Sequence, residues 1–412
     1  MMKSFMTPKE TSLLPITDIE DLGLDAGAHL LIKQGLLAVP PGGTIGVVGR
    51  SPGWSAQLSA WCRSQGHPMS LTTQDGRELA RVTRGSYEAG RWGGALHTGH
   101  ADASQPGAIA EKALPSWGMA ARGATVEAGS PPMVFRLDQK NEVWSSSAAD
   151  LYAQAVAAQW NPDAVIDWQA PFDLPDVVED AVAQVFTYMI ENEVAALIVP
   201  ARFLGQLHPH FREVQALLAI QIADEARHID VFTRRLRMKG REPALSTAGG
   251  QTSLKTLIDE PDFSIAEFLL SVLGEGTFVS LLLFLHAHAP DPVTRQIAML
   301  AARDEARHVA FGMTHLMARL EAEPEFRTRL AHAVQARNDA LSSTSGLNEE
   351  VFDALILLAA GELTPAAIAA GYLQVQQLMR DMAEGRQTRL EKLGFTAATA
   401  QELSALHTRN FM

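Results

Sequence analysis

The pentad Asp224-Glu225-Ala226-Arg227-His228 recurs as Asp304-Glu305-Ala306-Arg307-His308, 305 − 225 = 80 residues later. On a helix, residues three apart share a face, so Glu225 and His228 converge on one point, as do Glu305 and His308. Their neighbours at helical spacing are apolar: Leu218, Ile222, Ile229 and Phe232 in the first copy, Ala298, Ala301, Ala302, Val309 and Gly312 in the second. A buried carboxylate without a partner is costly. Two of them beside two histidines call for cations, and oxygen-plus-imidazole ligation suits iron or manganese. The single cysteine, Cys62, excludes a disulfide framework and any Cys-rich metal site.

Two Glu-x-x-His helices hold a metal pair when each of two further helices adds one Glu. That requires an inward Glu on the helix before each motif. Glu275 lies 305 − 275 = 30 residues before the second motif Glu, on a face with Phe268, Ser271, Val272, Phe278, Val279 and Leu282. Nothing but a ligand role explains a carboxylate there. Before the first motif, Glu193 and Glu191 compete. Glu193 shares its face with Phe186, Met189, Ile190, Ala196 and Leu197, whereas Glu191 shares its own with Gln184, Thr187 and Tyr188, then Val194, Ala195 and Ile198. The more apolar face belongs inside, so Glu193 is the choice and Glu191 the alternative. The expected metal ligands, which are also the catalytic set, are therefore Glu193, Glu225, His228, Glu275, Glu305 and His308. Asp224 and Asp304 are placed to accept the free ring N–H of a ligand histidine across the bundle. Arg227 and Arg307 pair with these acids. Gly274, Gly276 and Gly312 are expected to leave space for a substrate beside the metals.

These residues need long helices, and the chain supplies them. From about residue 146 onward it is rich in Ala, Leu and Val with helical periodicity and few breakers. The most lipid-like stretch, Phe268 to His288, carries Glu275 near its middle, so it is expected to be a buried core helix rather than a membrane span. Helices at about 326–341, 348–360 and 365–390 follow, packed outside the bundle or forming a homodimer face. His208 and His210, in the turn between two metal helices, are expected to be exposed.

Residues 11–85 have a different texture, β-α-β-α-β-β: a strand near Leu22–Leu24, a helix at 28–38, a strand at 44–49, a helix at 51–63 and a hairpin around Asp75-Gly76. Residues 86–145 show no period and are expected to wrap the helical domain, with Trp92, Trp117, Phe135 and Trp144 as anchors. At 412 residues, this organisation suits two or three domains.

The two pentads, each preceded by a buried-face Glu, resemble the ferritin-like non-haem di-iron carboxylate superfamily, over residues 146–320 and the helices that follow. They look closer to its oxygenases and ribonucleotide-reductase-like subunits than to iron-storage ferritin. The run Gln159-Trp160-Asn161-Pro162-Asp163 through Ile166-Asp167-Trp168 resembles the lead-in of some bacterial oxygenases of this group. Some N-oxygenases there carry an additional histidine ligand, a place that His315 could take; otherwise it is a core or rim histidine. The first domain, with Trp61-Cys62-Arg63-Ser64-Gln65-Gly66-His67 after its second helix, resembles the small TusA-like sulfur carrier. That family's Cys-Pro pair falls at Ala26-Gly27, so the carrier thiol is missing and an interaction or lid module is expected.

The resemblance implies an O2-activating di-iron oxygenase or oxidase, with Mn/Fe as the other metal pair, that hydroxylates or N-oxygenates a small organic substrate. The alternatives are a ferroxidase or peroxide-scavenging protein, a Mn/Fe ligand-binding oxidase, and a non-enzymatic partner-binding protein with a structural metal. No flavin, nicotinamide or iron–sulfur motif is present, so electrons must come from an external donor, a protein or a small reductant. The Gly43, Gly46 and Gly49 spacing lacks a following Lys-Ser/Thr, so no nucleotide site is expected. Lys plus Arg is 34 and Asp plus Glu 47, a net charge of −13 that disfavours nucleic acid. The N-terminal residues carry charge and no apolar run, so no membrane association and a cytoplasmic location are expected.

Overall fold

Glycines punctuate the first hundred residues into short elements, whereas the later Ala/Leu-rich chain runs in helices of up to 31 residues. The computed structural model describes residues 14–74, 76–85, 93–342 and 349–406. The chain divides into two compact units, residues 1–108 with 116–133, and residues 109–115 with 134–412.

The first unit contains β1 (Ile16–Asp18), α1 (His29–Leu37), β2 (Thr44–Val48), α2 (Trp54–Gln65), β3 (Met69–Gln74) and β4 (Arg77–Thr83). The sheet order is β1-β2-β4-β3, with β1 parallel to β2 and the other pairs antiparallel. The first strand lies earlier than the spacing suggests: Leu24–Ala26 is a 3-10 turn closed by Gly27 at φ 106°. That left-handed conformation suits glycine, and it ends extended pairing there. Gly46 is needed in β2 because a Cβ would collide with Ile16 and Leu79. Cys62 is buried with Trp54 and Leu58, and burial pushes its thiol up to about 12. Asp75 of the expected turn and Trp92 lie outside the described residues. A two-stranded ribbon, β5 (Leu96–His97) and β6 (Thr125–Val126), completes the unit. Residues 93–108 and 116–133 fall in the first unit, and residues 109–115 and 134–145 in the second.

In the second unit, α3 (Lys140–Val143), α4 (Ala148–Ala157) and α5 (Pro162–Val165) precede the long helices α6 (Asp176–Leu204) and α7 (Arg212–Met238). After α8 (Ala248–Ile258), α9 (Phe263–Glu267) runs through π-helical Phe268–Glu275 into α10 (Gly276–Ala287), and α11 (Pro292–Ala322) follows. Asp291 caps α11, accepting the Thr294 N–H at 2.8 Å, with Pro292 at the first helical position. Then come α12 (Phe326–Ser342), α13 (Glu349–Ala360), α14 (Pro365–Lys392) and α15 (Ala397–Leu406). Phe186, Met189, Phe232, Phe278, Leu282 and Ala301 form the core, and Leu355 and Leu378 of α13 and α14 extend it. Asp176–Leu204 and Phe263–Ala287 are long and apolar enough to cross a membrane, and 83% of the most apolar window of the second is buried inside the protein.

His208 and His210 are buried, contrary to the expectation from their turn position. Residues 109–115 lie over them: the Ala110 N–H donates to His210 Nε2 at 2.9 Å, and His208 Nε2 meets the Leu114 carbonyl at 3.2 Å. A cover nearly a hundred residues away in sequence leaves no local signal.

Candidate metal centre

Four helices each contribute to one buried cluster. α6 supplies Glu193, α7 Glu225 and His228, the π-helical segment before α10 Glu275, and α11 Glu305 and His308. All six are 0–3% exposed. They form two overlapping sets, Glu193, Glu225, His228 and Glu305, and Glu225, Glu275, Glu305 and His308. Within each set the ligand atoms lie within 4.8 Å of one another. Glu225 and Glu305 belong to both sets, so a metal pair held here would share them. The arrangement can hold two metal ions.

Ring orientation is fixed from outside the cluster. His228 Nδ1 faces Glu225 at 3.1 Å, Glu193 at 3.4 Å and Glu305 at 3.4 Å. His308 Nδ1 faces Glu225 at 3.0 Å and Glu305 at 3.3 Å. Each Nε2 points to the aspartate of the opposite pentad: His228 to Asp304 at 3.2 Å, His308 to Asp224 at 3.5 Å. Donation from Nε2 leaves the Nδ1 lone pair for a metal. The aspartates are braced in turn. Asp304 accepts from Trp160 Nε1 and from Arg227, both at 2.8 Å, and from Arg307; Asp224 accepts from Gln159 Nε2 at 2.7 Å and from Arg227. The Arg227 guanidinium lies over the Trp160 ring, which stacks on His228.

The electrostatics fit a cation pair. Burial and the nearby Glu225 push Glu193 well above the usual carboxylate range, and burial and Glu305 do the same for Glu275. Burial opposes charge on the histidines, but Glu193 beside His228 and Glu225 beside His308 outweigh it and raise both. Burial also opposes charge on Glu225, yet His308 and His228 hold it below its ordinary value. Carboxylates and imidazoles crowded together in this way suit the positive charge that divalent cations would supply. Glu193 Oε1, Glu225 Oε1, Glu275 Oε2 and Glu305 Oε1 are buried and accept no hydrogen bond of good geometry. These atoms suit metal coordination, and the donor set of carboxylate oxygen and imidazole nitrogen suits iron or manganese.

The other residues singled out by spacing lie elsewhere. Glu191 is half-buried and outside both sets. His315 is also outside them, and it packs against Phe263 and Phe311. Its Nδ1 meets the Trp144 carbonyl at 3.2 Å, which can only accept, so Nδ1 carries the proton and Nε2 accepts from Ser264 Oγ at 2.9 Å. Gly274 is buried in the π-helical segment. The space expected beside the other two glycines is taken. A Cβ on Gly276 would lie 2.5 Å from the Arg389 guanidinium, and one on Gly312 would lie 2.8 Å from Ser271 Cβ.

Spacing also missed residues. Gln221, one turn before Glu225, is buried and donates to Glu275 Oε1 at 3.3 Å. Glu267 is fully buried, with Oε2 accepting from Ser271 at 3.1 Å and burial pushing it up to about 7. The i−4 position of Gln221 was a usable signal. The π-helical turn ending at Glu275 had none, though such turns cluster at functional sites.

No family model matches this chain, and no curated protein matches it. Among solved structures, a variant of an R2-like ligand-binding oxidase with an aerobically reconstituted Mn/Fe cofactor aligns at 16% identity over 60% of this chain and 94% of its own, with a TM-score of 0.48. A protein from Synechococcus with aldehyde deformylating oxidase activity aligns at 18% identity over 56% and 96%, with a TM-score of 0.40. The chemistry of the centre rests on the side chains above.

Proposed function

We propose that the chain is an O2-dependent oxidoreductase that holds two iron ions, or one manganese and one iron, and oxidises a small organic molecule by hydroxylation or N-oxygenation. The observation that carries this is the pair of overlapping buried ligand sets sharing Glu225 and Glu305. When bound, such a pair supplies electrons to O2 and activates it. Glu193, Glu225, Glu275 and Glu305 hold the pair together with His228 and His308, and Asp304 and Asp224 fix the two rings. Phe186, Phe232, Phe278 and Leu282 belong to the surrounding apolar core, which keeps bulk water from the centre. Re-reduction takes an external donor, a protein or a small reductant. The TusA-like first unit, with no thiol at positions 26 and 27, serves as an interaction module.

The filled positions at Gly276 and Gly312 favour one second reading, oxidation of the metal itself, as in a ferroxidase. One experiment separates the two. The protein is loaded with Fe(II) without air, O2 is admitted, and its uptake is followed with a reductant and a panel of small organic amines. Catalytic uptake with an oxidised product supports the proposal. Uptake that stops once the bound iron is spent supports the ferroxidase. No uptake by the two-metal form sinks both.

A further inference from the structure

Arg235, Arg386 and Arg389 of the helical unit are buried or half-buried, and only the first of them is matched by carboxylates. Arg235 is fully buried and meets Glu179 at 3.0 Å and Asp291 at 2.7 Å. Arg386 and Arg389, one turn apart on α14, have no acid within ion-pair distance among the described residues. Arg386 is 5% exposed, and its Nε has no hydrogen-bond partner; neither has the buried Nη2 of Arg389. Burial pushes both guanidinium pKa values down to about 10, Arg389 adds to the effect on Arg386, and no carboxylate offsets it. A buried charge without a counter-charge is among the more costly features a fold can carry.

The pair is seated deliberately. Arg389 Nε donates to the Val272 carbonyl at 2.7 Å, and Arg386 Nη1 to Thr277 Oγ1 at 3.3 Å. Gly276 is where the guanidinium of Arg389 touches the helix, so close that a side chain there would have to displace it. Each arginine thus spends one N–H on the helix and keeps others for a ligand. Arg389 is only half-buried, so the pair is reachable from the surface. Further along the same α10–α14 seam a hollow of about 390 Å³ opens, lined by Ser280, Phe284, His288, Gln374, Gln377 and the carboxylate of Asp381 among others, but by neither arginine, so the candidate site is the arginine pair itself and not this hollow.

We propose that Arg386 and Arg389 form a binding site for an oxyanion, the carboxylate or phosphate group of a small molecule, in the seam between α10 and α14. Two guanidiniums present forked donors that match either group, and the anion supplies the counter-charge that the protein lacks. This goes beyond the metal reading and does not depend on it.

The test is calorimetric titration of the full chain with inorganic phosphate and, separately, with acetate, at constant ionic strength in chloride. One saturable anion per chain is expected, with affinity at least tenfold lower in Arg386→Gln and in Arg389→Gln. Preference for phosphate identifies a phosphate ester as the ligand class, and preference for acetate identifies an organic acid. Thermal unfolding guards against a merely unfolded variant. Without added anion, Arg386→Met should unfold no earlier than the parent, because it removes an unpaired buried charge. No binding by the parent, or binding as tight as the parent's in both Gln variants, overturns the site. So does a Tm of Arg386→Met several degrees below the parent, which would mean that the arginine only braces the helix.

Discussion

His228 Nε2 lies 3.2 Å from Asp304, the aspartate of the other pentad, rather than from Asp224 of its own. His308 reciprocates with Asp224 at 3.5 Å. The repeat is thus used crosswise: each pentad carries ligands for the centre and the orienting acid for its partner's ring.

Replacing either acid should loosen the ring it holds without removing a ligand. Asp304→Asn or Asp224→Asn is expected to lower metal affinity about 10–100-fold while leaving the fold intact. Competition titration against a chelator measures this. Unchanged affinity in both variants would mean that the packing of Trp160 is enough to set the rings.

Metal content should be two ions per chain by elemental analysis. Glu225→Ala/Glu305→Ala, which removes both shared carboxylates, should lose both ions, whereas Glu193→Ala should lose at least one and Glu191→Ala none. Stripping the metals with a chelator should lower Tm, because the ions bind only the folded state. A double variant that still holds two ions would overturn the assignment.

Gly276→Leu is expected to disturb packing rather than close a substrate pocket, because the Arg389 guanidinium already fills that place. Overpacking of this kind costs about 1–3 kcal/mol, more where the neighbour cannot move. Chemical denaturation of Gly276→Ala and Gly276→Leu should show a graded loss. A Gly276→Leu variant as stable as the parent would show that Arg389 is free to leave.

Arg235→Ala should be among the most destabilising substitutions away from the metals. It leaves Glu179 and Asp291 buried without their cation, a loss of about 3–5 kcal/mol. Arg235→Ala/Glu179→Gln should recover part of it in a denaturation cycle.

His315 makes stability depend on pH. Burial holds it down to about 4, below the ordinary imidazole value of about 6.5, the Trp144 carbonyl opposing only in part. The unfolded chain therefore takes up the proton first, and stability falls as pH drops from about 6.5 toward 4, by roughly 3 kcal/mol at most. His315→Gln should flatten that part of the profile. Glu267, raised by burial to about 7, contributes with the opposite sign over the same window, so the readout is the difference between parent and His315→Gln; a difference constant across the window would show that His315 protonates without cost.

The six side chains gathered at the centre are those that helical spacing singles out, because a carboxylate on an apolar helix face is conspicuous by itself. The choice of Glu193 over Glu191 was likewise legible from the faces of one helix. β2, the hairpin and the long helices follow from β-branched runs, turn residues and unbroken apolar periodicity. The first strand did not, because Ile16–Asp18 is short, half-exposed and defined only by its pairing with Gly46–Val48. Local pattern placed Asp224 and Asp304 on the right helices and aimed them at a histidine across the bundle, but the Trp160, Gln159 and arginine contacts that brace them come only from the packing. The same holds for residues 109–115 over His208 and His210, and for Arg389 against Gly276. A glycine beside a ligand reads as open space in one dimension. Only the packing of α14 against α10 shows that a side chain more than a hundred residues away occupies it.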